Sequence, residues 1–264
     1  MGSYLRVPVG HDAERWSTFR GERTLLVAAR TLTSTIRILE TLPAVLRGDA
    51  RVTVVAAHDA TSAFSDGAAD LLRDAGFRVM PWEQLESVEP DLIIAASENI
   101  DLPEGRCPLL VLPHGVGFRA GAGLAQRADP AVGDGARLRA GDGPCLAGRL
   151  PPGPGGAVAR RAPGVAGRTI LTGDPCDDAL RAALPAAARY RRAMGVEDGR
   201  RLVVVSSTWG PTSLLGRDPE FPARLLAALP VDAYRVAAIL HPNVWAGHGG
   251  WQVRTLQAAA LEAG

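Results

Sequence analysis

The chain has 264 residues, enough for one large α/β domain or two of ordinary size. Its 47% hydrophobic content means that a real core can be buried. A formal net charge of +1 gives no electrostatic case for nucleic acid or for an anionic membrane as partner.

The first half alternates strand and helix signals. ERTLLVAAR (Glu22–Arg30) is a short apolar run rich in strand formers. TSTIRILETLPAVL follows as a helix, with Ile36, Leu39 and Leu46 at helical spacing and caps expected at Thr33 and Ser34. RVTVVAAH (Arg51–His58) is the next strand, and SAFSDGAADLLRDAG a helix closed by Gly76. FRVM, DLIIAAS (Asp91–Ser97) and PLLVLPH (Pro108–His114) complete the series. Continuous apolar strands separated by amphipathic helices imply a parallel sheet covered on both faces, a doubly wound domain over 1–118.

Residues 119–166 differ in kind. Ala, Gly, Arg and Pro dominate, and aromatics, Ile, Met, Ser, Thr and Glu are missing. The stretch shows neither a period of 2 nor one of 3.6, so it reads as a low-complexity linker. A structureless loop of that length sits badly in a compact protein, and a frame-shifted translation is the competing reading. LAGRLPPGPGG (Leu146–Gly156), with free third bases read one base later, permits WLAVSHPDQEA, a strand-like run followed by a helix start. Both readings stay open.

The α/β pattern resumes over 167–264. RTILTG is a short strand, and DDALRAALPAAARYRRAMG a helix ending at Gly195 with Pro185 inside it. RLVVVSS (Arg201–Ser207), the helix EFPARLLAAL, the strand YRVAAILHP (Tyr234–Pro242) and the helix WQVRTLQAAALEAG follow. This is expected to be a second domain of the same class. With about three strands, against the usual 4–6, it is expected to be incomplete, the chain being cut short.

Ligands of open α/β sheets bind beyond the carboxyl ends of strands, and two segments fit that rule. In LPHGVG, His114 ends a strand, while Gly115 and Gly117 let backbone approach a ligand. His114 reads either as a general base, with a pKa near working pH, or as a turn residue bonded to nearby backbone. In SSTWGPTS (Ser206–Ser213), the hydroxyls of Ser206, Ser207, Thr208, Thr212 and Ser213 and the N–H groups around Gly210 suit phosphate oxygens without a lysine. Trp209 suits a base or ring there, or buried packing; the segment is no Walker loop. His241, in LHPN, ends another strand and reads as a phosphate or hydroxyl ligand or as a turn residue.

The remaining polar clusters read as structural. Asp174 or Asp177 caps a helix, and Asp174, Asp177 and Asp178 lack a further ligand to complete a metal site, so no metal is expected. His58 and Asp59 read as structural, His248 as exposed, and His11 carries no signal. All basic side chains are arginines, which removes lysine nucleophiles and Schiff-base chemistry. Cys107, Cys145 and Cys176 are too widely spaced for a metal or redox pair, so a reducing cytoplasm is expected. No signal peptide is read, and no apolar run approaches the roughly 20 residues of a membrane span.

At these residues the chain resembles the GT-B-like transferases, which have two facing Rossmann-type domains. Among them it looks most similar to the CDP-glycerol glycerophosphotransferase and teichoic-acid polymerase families. Their histidine-glycine motif is matched at His114 and Gly115, which implies that His114 activates the acceptor hydroxyl. Their proline-threonine-tryptophan-arginine motif is matched at Thr208 and Trp209 only. Ser207 stands in the proline's place and Gly210 in the arginine's, so one phosphate-pairing charge is missing. Their histidine-proline pair is matched at His241 and Pro242. A later motif, with an aspartate and serines near the nucleotide phosphates, would lie beyond Gly264. The UDP-N-acetylglucosamine 2-epimerases share the architecture and remain close in this comparison.

The resemblance implies a GT-B-like α/β protein that transfers a glycosyl or glycerophosphate group from a nucleotide-activated donor to an acceptor hydroxyl. His114 would take the proton, while the Ser207–Ser213 loop and His241 steady the diphosphate. The nucleotide is a substrate, so no cofactor is expected. As given, the polypeptide is expected to be weak or inactive. A non-catalytic nucleotide- or sugar-binding module and a UDP-sugar 2-epimerase-like enzyme are the alternatives.

Overall fold

Apolar runs with no polar alternation become strands buried on both faces, and the first half of the chain is built that way. The structure is a computed structural model, and it describes residues 9, 15, 17–19, 21–97, 107–112, 145–149, 169–171, 173, 175–196 and 199–258. It divides into two compact units, residues 1–177 and 178–264.

In the first unit, β1 (Arg23–Ala29), β2 (Val52–His58), β3 (Val79–Pro81), β4 (Leu92–Ala95), β5 (Leu109–Val111), β6 (Cys145–Arg149) and β7 (Thr169–Leu171) form one sheet in the order β3-β2-β1-β4-β5-β6-β7. Every pairing is parallel. The order runs outward from β1 in both directions, so the switch point of a Rossmann-type sheet lies between β1 and β4. Helices α1 (Leu32–Leu46) and α2 (Ala68–Asp74) and a 3-10 turn (Trp82–Ser87) connect the strands.

Alternate residues of the central strands feed two cores. Leu26, Ala28, Val55, Ala57 and Met80 pack with Leu85 and Val88 on one face. Leu25, Val27, Ala29, Ala56 and Ile94 pack with Ile38, Leu42 and Leu72 on the other. Near their carboxyl ends, three neighbouring strands carry the same run: Val27-Ala28-Ala29, Val55-Ala56-Ala57 and Ile94-Ala95-Ala96, each residue at most 1% exposed. At the opposite end, Asp91 ties β4 to β1. Its carboxylate accepts from Thr24 N at 2.8 Å and from Arg23 Nη1 at 2.7 Å. Those bonds hold the Asp91 pKa below the usual carboxylate value, the Thr24 backbone bond contributing most.

Three expectations are corrected here. RTILTG does not open the second half: Thr169–Leu171 pairs with β6 in the first sheet (Ala147↔Thr169). An apolar run specifies a strand but not the sheet it joins. In the stretch expected as linker or frame-shift, Cys145–Arg149 is β6 and pairs with β5 as well, which corrects the linker reading at those five residues alone; the rest of 119–166 lies outside the described residues. The cap of α1 lies two residues before Thr33, the first of the two expected caps. Thr31 is its N-cap, with Ser34 N donating to Thr31 Oγ1 and Thr31 N donating to Ser34 Oγ, a capping box closed by serine rather than Glu or Gln. The helix buries Ile38 and Leu42 and packs Leu39 and Leu46 against the same core, as expected for the latter two, while Ile36 is 37% exposed.

In the second unit, β8 (Arg201–Ser207) and β9 (Tyr234–Leu240) pair in parallel, Ser207 opposite Leu240. These two strands make up its sheet among the described residues. Before β8, α3 (Pro175–Ala183), a 3-10 turn (Leu184–Ala186) and α4 (Ala187–Ala193) replace the single expected helix. Pro185 lies in that turn, because its ring and missing N–H do not fit a helix interior. The strands are followed by α5 (Leu214–Arg217), α6 (Phe221–Ala228) and α7 (Pro242–Leu256). Helix α7 starts at Pro242 rather than at Trp251. Gly249, at φ 75° and ψ 149°, interrupts it, so the expected helix is its second piece, anchored by buried Val253. No helix among the described residues is long and apolar enough to cross a membrane.

The phase of α1 is open to direct test. Ile38→Ala should cost about 2–5 kcal/mol in urea denaturation, and Ile36→Ala no more than about 0.5 kcal/mol. Equal losses at the two positions would show that Ile36 also faces the core, as its spacing with Leu39 and Leu46 suggested.

Candidate functional site

Parallel strands deliver all their carboxyl ends to one side, so the ends of β8 and β9 mark where the second unit presents side chains to a ligand. The two ends are joined by a backbone bond, His241 N donating to Ser207 O at 3.2 Å. Beyond Ser207 the chain turns through Thr208–Thr212 into α5.

Buried hydroxyls give this loop its shape. Ser207 Oγ accepts from Leu215 N at 3.2 Å and donates to Thr208 O at 3.0 Å. Ser213 Oγ caps α5, accepting from Gly216 N at 3.0 Å and donating to Gly210 O at 2.8 Å. Both serines are buried and their hydroxyls are engaged as donor and acceptor. In this structure they hold the loop, whereas Ser206, Thr208 and Thr212 expose their side chains and Trp209 is 49% exposed. Gly210 sits at φ 90°, a backbone that side-chain-bearing residues avoid.

Gly216 was not singled out from the sequence. A Cβ there would press on the Gly210 carbonyl oxygen and lie 2.9 Å from Ser213 Oγ, so the loop closes over α5 only because this residue is glycine. A glycine inside a four-residue helix, right after a Ser/Thr-rich turn, is the signal that pointed to it.

His241 is the N-cap of α7. Its Nδ1 accepts from Asn243 N at 3.1 Å, and its carbonyl accepts from Val244 N at 2.8 Å. With Pro242 lacking an N–H, these bonds use the donors of Asn243 and Val244 at the start of α7. An Nδ1 that accepts is unprotonated, so the neutral ring carries its proton on Nε2, and Nε2–H is the donor it offers to a ligand. Burial pushes the pKa of this imidazole below its ordinary 6.5, in keeping with the neutral form.

The first unit contributes less that can be described. His114, Gly115 and Gly117 lie outside the described residues, as do His11 and Asp174; β5 ends at Val111, followed by buried Leu112. At the switch point the start of α1 is closed by its own cap, Thr31 accepting from both Ser34 N and Thr35 N. Asp59, after β2, accepts from Thr61 N at 2.9 Å and Thr61 Oγ1 at 2.6 Å, with Arg30 Nε at 3.5 Å. That is a turn-forming role, as expected for it. His58 ends β2 half-buried, and His248 is exposed on α7. Cys107 is a free thiol, and burial raises its pKa to about 11, which makes it a poor nucleophile. Among the described residues no group of three or more His, Cys, Asp or Glu is placed to hold a metal ion.

No protein-family model matches the sequence, and no curated protein matches it. Among solved structures the chain is similar to a Staphylococcus aureus MnaA–UDP co-structure, at a TM-score of 0.53 and 13% identity over 90% of this chain and 66% of that one. It also matches UDP-GlcNAc 2-epimerase from Neisseria meningitidis bound to UDP-GlcNAc, at a TM-score of 0.42 and 11% identity over 90% of this chain and 69% of that one. The chain thus spans just under two thirds of the MnaA chain it matches. At this identity the MnaA likeness is one of fold, and the fold class is GT-B-like α/β with Rossmann-type parallel sheets.

Two properties of the loop can be measured. The fold favours neutral His241, so its contribution to stability is complete above about pH 6.5 and is lost as pH falls through the lower folded value. Asn caps helices without titrating, so the melting-temperature gap between wild type and His241→Asn should narrow or reverse between about pH 7.5 and about pH 5. A gap that does not change with pH would mean that the imidazole is not the cap. Gly216→Ala should cost about 1–3 kcal/mol, read as an earlier thermal transition. A melt indistinguishable from wild type would contradict the close approach of Gly210.

Proposed function

We propose that this protein binds a nucleotide-linked sugar or glycerol donor at the carboxyl ends of β8 and β9, and that it transfers the glycosyl or glycerophosphate group to an acceptor hydroxyl. The observation that carries this reading is the loop of Ser207–Ser213 beside His241. A rigid frame exposes Thr208, Trp209 and Thr212, and the neighbouring strand end offers one imidazole N–H. Hydroxyls, the N–H groups around Gly210 and His241 Nε2–H suit the oxygens of a diphosphate, and Trp209 suits a ring. Ser207 and Ser213 act by holding that frame. The GT-B-like fold supports the reading, since the MnaA structure of similar fold is a co-structure with UDP.

His114 is proposed as the base that takes the acceptor's proton, with Gly115 and Gly117 allowing close approach beside it. Gly210 stands where the resembling families carry arginine, so the donor's charge is met here by neutral donors. A binding module without turnover is the second reading, and that missing cation is what favours it. No cofactor enters either reading.

Calorimetric titration with UDP and CDP, followed by turnover assays with CDP-glycerol and UDP-GlcNAc, separates these readings. His114→Ala should lower turnover about 10²–10⁴-fold while leaving nucleotide affinity within about threefold. Nucleotide binding without turnover in the wild type would establish the binding module instead. No binding of either nucleotide would end the proposal.

A further inference from the structure

We infer that Arg217 is the cation that pairs with the donor's phosphate oxygens at the β8 end, an inference that rests on the nucleotide reading above. The loop itself brings no charge: no side chain of Ser206–Ser213 is ionic, whereas a diphosphate is multiply anionic at neutral pH. Arg217 closes α5, and its backbone is bound to the loop, Arg217 N donating to Ser213 O at 3.1 Å. The residue before it lies against the tip of the loop. A Cβ on Gly216 would stand 3.0 Å from the Pro211 carbonyl carbon and nearer still to the Gly210 oxygen. The Cα of Arg217 follows one peptide later, about 3.8 Å on, so the Gly210–Thr212 backbone lies within reach of its side chain.

The state of the neighbouring charges is the second observation. Four arginines follow β8 in the sequence, and three are engaged or remote. Arg224 holds the Asp218 carboxylate with both its terminal nitrogens. Arg254 Nε donates to Gly250 O at 3.1 Å. Arg235 pairs with Leu202 near the start of β8, at the other end of the sheet. Arg217 is exposed and has no ion pair or side-chain hydrogen bond among the described residues. Asp218, the acid next to it in the chain, is committed to Arg224, and that bond holds its carboxyl below the usual range. The charge of Arg217 is therefore left uncancelled beside the loop.

A guanidinium selects the phosphates among the parts of such a ligand. It is always charged, and its planar fork donates two parallel N–H bonds to neighbouring phosphate oxygens. The sugar and the base carry no charge for it to meet. The neutral hydroxyls and His241 Nε2–H then orient the diphosphate, while Arg217 supplies the attraction. Ser207 and Ser213 hold the loop through bonds in which the Arg217 side chain takes no part. Changing that side chain alters the charge beside the loop and leaves its frame intact.

The test uses the full chain, with UDP as the calorimetric probe and salt raised from about 0.05 M to about 0.5 M. Wild type should lose UDP affinity as salt rises, because an exposed ion pair is screened. Arg217→Gln should weaken UDP about 10- to 100-fold at the low salt, the range of a charge-assisted bond, and should flatten the salt response. Arg217→Lys keeps the charge without the fork and should fall between the two, with the salt response retained. Arg201→Gln removes the same charge from an exposed position at the start of β8 and should bind as wild type does. That position lies about 20 Å along the strand from its carboxyl end. Wild-type affinity or an undiminished salt response in Arg217→Gln, or equal weakening in Arg201→Gln, would overturn the inference while leaving the nucleotide reading in place. A wild-type chain that does not bind UDP would overturn both.

Discussion

The second unit is organised around Ser207. Its carbonyl accepts from His241 N, its hydroxyl accepts from Leu215 N, and the same hydroxyl donates to Thr208 O. One buried residue therefore joins the end of β8, the start of α5 and the start of α7. Leaving such a group unpaired costs about 1–3 kcal/mol, so the three segments are fixed together or not at all. The outward course of Thr208 and Trp209 follows from that closure, as does the position of His241. Register does the rest: Ser207 opposite Leu240 brings both strands to their ends at the same level.

The first unit solves the same problem by bulk. Seven parallel strands bury their central members on both faces, and the Val-Ala-Ala and Ile-Ala-Ala runs are buried throughout. Shape there comes from apolar packing, whereas at β8–β9 it comes from a handful of hydrogen bonds. A core tolerates hydrophobic exchange if volume is kept, but a bonded serine tolerates almost none.

What could be read from the amino acids followed from these differences. The strands β1, β2, β4, β5, β8 and β9 were legible because an apolar run bounded by turn residues has few other uses. The phase of α1 was legible in part: Leu39 and Leu46 pack against the core, whereas Ile36 is exposed and the buried pair is Ile38 and Leu42. β7 was legible as a strand but not as the edge of the first sheet, because partners are chosen by tertiary packing. The loop 207–213 was legible as a polar strand end. The division of its hydroxyls into buried and exposed was not, since Ser207 and Thr208 look alike until the Leu215 and Thr208 backbone groups are placed. His241 was read as a ligand or a turn residue, and its Nδ1 serves the fold while its Nε2 keeps a donor for a ligand.

That division has an energetic consequence for any anion bound here. The segment Ser206–Ser213 carries no cationic side chain, and the imidazole of His241 is held neutral by burial. Neutral hydrogen bonds contribute about 0.5–1.5 kcal/mol each, against about 1.5–3 kcal/mol for bonds to charged groups. A diphosphate met only by hydroxyls and an imidazole N–H would be held weakly, and its binding would respond little to salt. Affinity at this end must then come from contacts beyond these bonds. On the proposed reading, the half-exposed indole of Trp209, which follows the end of β8, supplies such a contact by stacking.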